Sequence, residues 1–147
     1  MSVTVVPITD VQGVLVDAAH LAAAEGVHRQ LRPQLPANYA ERMQVIFAGG
    51  ARMAVALVAG KVAGVTVYRI LEKTFTGREL YCDDLVTDEA QRSTGVGHAL
   101  VAHMERVARD QQCDYIALDS GCQRQQAHKF YFREQMPITA FHFSKKL

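Results

Sequence analysis

The sequence predicts an α+β fold, a mixed and mainly antiparallel central sheet flanked by helices, in one domain over residues 1–147. Three observations carry that expectation. Three strand-like runs follow one another, Met53 to Val58, Val62 to Leu71 and Glu79 to Thr87. A glycine turn, RSTGVG at Arg92 to Gly97, then leads into the amphipathic pattern HALVAHMERVARD. Three consecutive strands ahead of that turn depart from the strict βαβα alternation of a Rossmann domain. The 147 residues suffice to bury one core without disulfides or structural metal.

The elements follow in order. Val3 to Ile8 reads as a short strand, and Thr9 with Gln12 three positions on forms a capping-box pattern. A helix is expected from there to about Gly26, with Val11, Val14, Leu15, Ala18 and Ala22 at helical spacing toward a sheet. VHRQLRPQLPANY, interrupted by Pro33 and Pro36, reads as a loop. A short helix from about Ala37 to Phe47 follows, stopped by Gly49 and Gly50. Ala59, Gly60 and Lys61 turn the first strand of the triplet into the second. Beyond the glycine turn, Val96, Leu100, Met104, Val107 and Ala108 form one apolar stripe. A strand at Tyr115 to Leu118, a helix at about Gln125 to Glu134 and a last strand from about Ile138 to Ser144 complete the plan.

Composition narrows the function classes. Formal net charge is +1, with the basic residues scattered, so a nucleic-acid partner is not expected. Cys82, Cys113 and Cys122 are an odd set without paired spacing, which favours reduced thiols in the cytoplasm. MSVTVVPITD lacks the basic and long apolar regions of a leader, and no segment approaches the roughly 20 apolar residues of a bilayer span. The expectation is a soluble cytoplasmic protein without a membrane partner. The six histidines show no HExxH spacing and the cysteines no CxxC, so no metal is expected. Met43, Met53 and Met104 lie in apolar patterns and are assigned to the core.

The glycine turn is the main chemical signal. Strand, glycine-rich turn and helix start is an arrangement that binds phosphate, because the first N–H groups of a helix lack intrahelical partners and carry partial positive charge. A plain helix start eased by glycines fits the six residues equally well.

Two motifs in order extend the reading. LVTDEAQRSTGVGHAL contains R/Q-x-x-G-x-G/A as Arg92, Gly95 and Gly97, and AHKFYFREQM, Ala127 to Met136, is a tyrosine-bearing helix ahead of the last strand. With these the chain resembles the GCN5-related N-acetyltransferases over essentially its whole length, in a bacterial branch of mostly unassigned substrate. The resemblance implies an acyl-CoA N-acyltransferase fold and acetyl-CoA as cosubstrate. It implies that a bulged strand at Leu85, Val86 and Thr87 binds the pantetheine arm through its backbone. The N–H groups of Arg92, Ser93, Thr94, Gly95, Val96 and Gly97 would take the diphosphate, with the Arg92 side chain near a phosphate. Tyr131 matches the family tyrosine that protonates the leaving thiolate. A phenol that stays protonated at neutral pH can do so.

A small-molecule amine must lose a proton to attack, which points to Asp84 or Asp83 as the base, directly or through water. Neighbours on a strand face opposite ways, so only one would meet the substrate unless a bulge re-aims the other. Asp84 is preferred. Relatives also imply a homodimer.

The same residues have plainer readings. Tyr131 between Phe130 and Phe132 fits ordinary packing, and either aspartate fits a cap at a strand end. His28, Arg29 and Arg32 suit a basic acceptor loop for an amine bearing a carboxylate or phosphate, or simply a solvated face. Cys122 is assigned to packing or chance rather than to nucleophilic catalysis. Two departures from the family pattern stand out: Gln135 replaces the usual glycine after the tyrosine helix, and Gln125–Gln126 stand where near relatives carry His-Asp. They keep open a coenzyme-A-binding module that senses or regulates without turnover, and a protein or peptide acetyltransferase is a further alternative.

Overall fold

The structure, a computed structural model, describes residues 2–147. Its elements are β1 (Val3–Pro7), α1 (Ala18–Leu31), α2 (Tyr39–Ala48), β2 (Arg52–Val58), β3 (Lys61–Lys73), β4 (Gly77–Thr87), α3 (Val96–Asp110), β5 (Tyr115–Leu118) and α4 (Gln125–Arg133), with a 3-10 turn at Glu89–Gln91. The five strands lie in sequence order in one sheet. All pairs are antiparallel except β4 with β5, which is parallel. The mixed α+β architecture expected from three successive strands is therefore present.

Strand alternation sends side chains to two cores. On one face Met53, Val55, Val65, Val67 and Val86 meet Leu21, Ala24 and Val27 of α1 and Met43 and Phe47 of α2. On the other face Tyr68, Leu80 and Cys82 meet Val101, Met104 and Ala108 of α3. Met43, Met53 and Met104 are all buried, as their patterns require.

Gly64 of β3 sets how close α3 lies. A Cβ there would stand 2.5 Å from Val96 Cγ1 and 2.9 Å from Leu100 Cδ1. The first turn of α3 thus rests directly on the β3 backbone. Gly64→Ala is expected to lower stability by about 1–3 kcal/mol through overpacking, read as a lower urea midpoint. An unchanged midpoint would contradict this packing.

Three expectations are corrected. The first helix starts at Ala18, not after Thr9, and runs to Leu31, past Gly26. Thr9 bridges Leu15, and its hydroxyl accepts from the buried Met53 N–H at 3.1 Å, so it extends the sheet rather than capping a helix. Asp17 is the cap, accepting from the His20 N–H at 3.0 Å, and Val11 and Val14 are exposed. His28 and Arg29 consequently lie on a helix instead of in a loop. Finally, Ile138 to Ser144 form no strand: residues 136–147 carry no regular structure, because no strand of this chain pairs with them.

Candidate functional site

Strand β4 is paired with β3 along its whole length, but with β5 only from Glu79 to Cys82. From Asp83 to Thr87 its far edge has no strand partner among the described residues. Backbone groups on such an edge can pair with an extended ligand as they would with a strand. Leu85, Val86 and Thr87 lie on this stretch, with the Val86 side chain buried toward α1.

The open edge runs on, through the 3-10 turn, into the glycine turn. Gly95 takes the N-cap position of α3 with φ of 89°, and no side chain caps the helix. A Cβ on Gly95 would meet nothing within 4 Å, and Ser93 also has positive φ. Arg92, Ser93, Thr94 and Gly95 are exposed, whereas the Val96 side chain is buried, so Val96 can offer only its N–H. Gly97 also has a packing use. Its missing side chain makes room for the Phe130 ring, which a Cβ would approach to 3.1 Å. This contact holds α4 against the start of α3.

That packing positions Tyr131, the next residue on α4, which is buried with its ring edge-on to Phe130 at 5.5 Å between centroids. Burial pushes its phenol pKa above 10, the nearby Cys82 thiol adds to the rise, and Arg124 offsets part of it. Tyr131 is therefore a proton donor throughout the neutral range. Burial pushes Cys82 itself up to about 12, which makes it an inert thiol. The packing reading of Tyr131 and the donor reading are thus both compatible with its place: the ring packs and the hydroxyl stays protonated. The helix ends with Gln135 at φ of 64°, the left-handed conformation in which glycine usually stands. A non-glycine residue there costs on the order of 1 kcal/mol.

The bulge in β4 falls at Asp83, not at Leu85 to Thr87. Val67 pairs with Asp84 and Tyr68 with Cys82, leaving Asp83 without an opposite residue. The extra residue changes the alternation, so that Cys82 faces α3 while Asp84 faces α1. Asp83 also turns toward the α1 and α2 face, where it meets Arg69 Nε at 2.7 Å, and Arg69 continues to the Gly49 carbonyl at the end of α2. Both carboxylates therefore lie on one face, which is the re-aiming that a bulge permits.

Asp84 is the more enclosed of the two. It accepts from His28 Nε2 at 2.7 Å and from Arg32 Nε at 2.8 Å, and His28 Nδ1 lies 2.8 Å from the buried Tyr39 hydroxyl. Burial alone would raise its pKa, but the hydrogen bonds from His28 and Arg32 and the Arg32 charge outweigh it and hold the carboxyl below its ordinary 3.8. The ionised carboxylate can only accept, so Nε2 donates to it, and the Tyr39 hydroxyl holds the other ring nitrogen. His28 is buried, so neither a solvated face nor a loop accounts for it; Arg29, held by Glu25 and the Leu35 and Pro36 carbonyls, and Arg32, at the end of α1, are both partly exposed. The signal available in sequence was the i, i+4 spacing of His28 and Arg32. It becomes visible only once the helix is extended past Gly26.

Nearby, Tyr81 donates to Asp119 Oδ2 at 2.6 Å, just beyond the end of β5. Cys122 is exposed and contributes no packing. Among the described residues no group of His, Cys, Asp and Glu is placed to hold a metal ion, and no helix is long and apolar enough to cross a membrane.

An open strand edge that leads into an uncapped helix N-terminus, beside a buried tyrosine, is a combination that defines a class. Residues 17–135 match the model of the Acetyltransferase (GNAT) family, and the chain belongs to that family. Over 98 residues it is 30% identical to a Bacillus subtilis (strain 168) protein described as an uncharacterized N-acetyltransferase, YhdJ, covering 67% of this chain and 64% of that protein. It is similar in fold to AAC(6')-Iy in complex with the bisubstrate analogue CoA-S-monomethyl-acetylneamine, with a TM-score of 0.81, 15% identity and full coverage of both chains. It is also similar to a ribosomal-protein-alanine N-acetyltransferase from Brucella melitensis biovar Abortus 2308, with a TM-score of 0.75, 16% identity, and 99% and 98% of the two chains covered.

Proposed function

We propose that this protein is an acetyl-CoA-dependent N-acetyltransferase that acylates a primary amine of a small molecule by direct attack in a ternary complex. The observation that carries the reading is the continuity of the unpaired β4 edge with the uncapped start of α3. Together they offer an extended arm a line of backbone partners and a diphosphate a set of free N–H groups. Leu85, Val86 and Thr87 bind the arm through their backbone. Arg92, Ser93, Thr94, Gly95, Val96 and Gly97 supply the N–H groups for the diphosphate, with the Arg92 guanidinium alongside. A structural neighbour bound to an adduct of coenzyme A and an aminoglycoside-type amine supports a small-molecule acceptor.

In this mechanism the amine nitrogen attacks the thioester carbonyl carbon, the new N–C bond forms and the C–S bond breaks. Tyr131 gives its proton to the departing sulfur and regains one from solvent. Asp84 stays ionised at neutral pH, so it draws in and orients the substrate ammonium, whose proton passes to Asp84 or to water held by it. Asp83, tied to Arg69, adds negative potential on the same face. The bulged strand offers an N–H to polarise the carbonyl.

A second reading, a coenzyme-A-binding module without turnover, is favoured by one observation: both carboxylates are already ion-paired, Asp84 to Arg32 and Asp83 to Arg69. Thiol release from acetyl-CoA across a panel of small amines and short peptides separates the readings. Amine-dependent release supports the proposal, release with peptides alone moves the acceptor to protein, and coenzyme binding without release supports the module.

A further inference from the structure

The charges around Asp84 narrow the kind of amine that the site can take. Each carboxylate in its neighbourhood already has an arginine: Asp83 has Arg69, Asp84 has Arg32, and Glu25 one helical turn away has Arg29. Beside Asp84 there is thus no surplus of negative charge. A polycationic acceptor would bring positive charges that these groups do not neutralise.

The three arginines are not held alike. Arg29 also donates to the Leu35 and Pro36 carbonyls, and Arg69 to the Gly49 carbonyl, so both are tied to the backbone of the turns around α2. Arg32 follows the last residue of α1. Its Nε and Nη2 both lie on Asp84 Oδ1, at 2.8 Å and 2.7 Å, and Nη2 reaches the Asp83 carbonyl at a longer 3.1 Å. Nη1 has no hydrogen-bond partner among the described residues. The Arg32 side chain is 40% exposed, against 13% for Asp84. Arg32 can therefore swing aside, whereas Asp84 is kept in place through its other oxygen by His28 Nε2 at 2.7 Å.

We infer that, given the acetyl transfer proposed for this site, the acceptor is an α-amino acid: its ammonium replaces Arg32 on Asp84 Oδ1, and its carboxylate takes the guanidinium that Arg32 then presents. The exchange leaves no partly buried charge unpaired, because two ion pairs stand where one stood. Arg32 and Asp84 are in direct contact, so the charged groups of the acceptor must also be neighbours. An ammonium and a carboxylate on one carbon meet that demand. A peptide does not, since no carboxylate adjoins its terminal amine. The planar guanidinium can hold a carboxylate through two parallel hydrogen bonds, which makes Arg32 the residue that sets specificity. Acetylation turns the ammonium into a neutral amide. The product then loses its hold on Asp84, and the return of Arg32 favours its release.

The test is the rate of thiol release from acetyl-CoA with matched acceptors: L-α-amino acids of varied side chain, the amides of the same amino acids, the corresponding decarboxylated amines, and spermidine as a polycation. The expected result is a kcat/KM for the preferred amino acid about tenfold to a hundredfold above that of its amide and its decarboxylated amine, the range for a hydrogen bond to a charged group. The amide is a stringent control, because its amine is less basic and would react more readily if the carboxylate were not recognised. Arg32→Gln should abolish the preference, chiefly through KM, and Arg32→Lys should restore only part of it. Unchanged circular dichroism and acetyl-CoA affinity show that both variants remain folded. Transfer that favours amides, decarboxylated amines or spermidine, or a preference for amino acids that survives Arg32→Gln, would overturn the inference and leave acetyl transfer standing. Bound acetyl-CoA with no transfer to any of these acceptors would overturn both.

Discussion

Tyr131→Phe is expected to lower turnover by about 10²- to 10⁴-fold, the usual contribution of a positioned proton donor, while leaving acetyl-CoA binding and the fold unchanged. The ring is what packs against Phe130, and phenylalanine keeps it. Only the hydroxyl is lost, and burial holds that hydroxyl protonated beyond the ordinary phenol value of 10. A wild-type pH–rate profile should therefore show no loss of the acid form until well above neutrality. Steady-state rates with any acceptor found in the amine panel provide the check. Undiminished turnover by the variant would remove Tyr131 from the chemistry and leave it a packing residue.

Asp84→Ala is expected to cost about 1–3 kcal/mol, since truncation leaves a buried hydrogen-bond donor without its acceptor. Here the orphan is His28, whose ring is buried between Asp84 and Tyr39. The pH dependence has a definite sign. The folded-state pKa of Asp84 lies below its ordinary 3.8, so its stabilisation is complete above that value and is lost as pH falls through the lower, folded-state value. Asp84→Asn removes the titrating group. Denaturation midpoints of wild type and this variant should thus converge on acidification below about pH 4 and differ by a constant amount at neutral pH. A difference that grows on acidification would mean the carboxyl is not held ionised by its neighbours.

The fold was more legible in the sequence than the site. Strands β2 and β3 announce themselves by apolar runs, β-branched most densely in β3, β4 by its place between them and the glycine turn, and α3 by a stripe of apolar residues packed mainly against the sheet. The start of α1 was hidden because Thr9 and Gln12 satisfy a capping pattern, although the Thr9 hydroxyl serves the Met53 N–H across the sheet. Local pattern cannot reveal a partner 44 positions away. The same limit concealed the ties of Asp84 to His28 and Arg32, 56 and 52 positions distant. The bulge at Asp83 depends on register, which a single strand does not encode. The last strand illustrates the converse: the alternation around Phe141 and Phe143 was readable, but a strand requires a partner, and none of the described strands pairs with residues 136–147.

Calorimetric titration with acetyl-CoA, on wild type and Gly95→Glu, tests the central claim most directly. Gly95 stands at the N-cap of α3 with open space around it, so the new side chain would put negative charge where the diphosphate is to sit. The account predicts saturable binding to the wild type and its loss in a variant that remains folded. Equal affinity in both proteins, or no binding by the wild type, would contradict it.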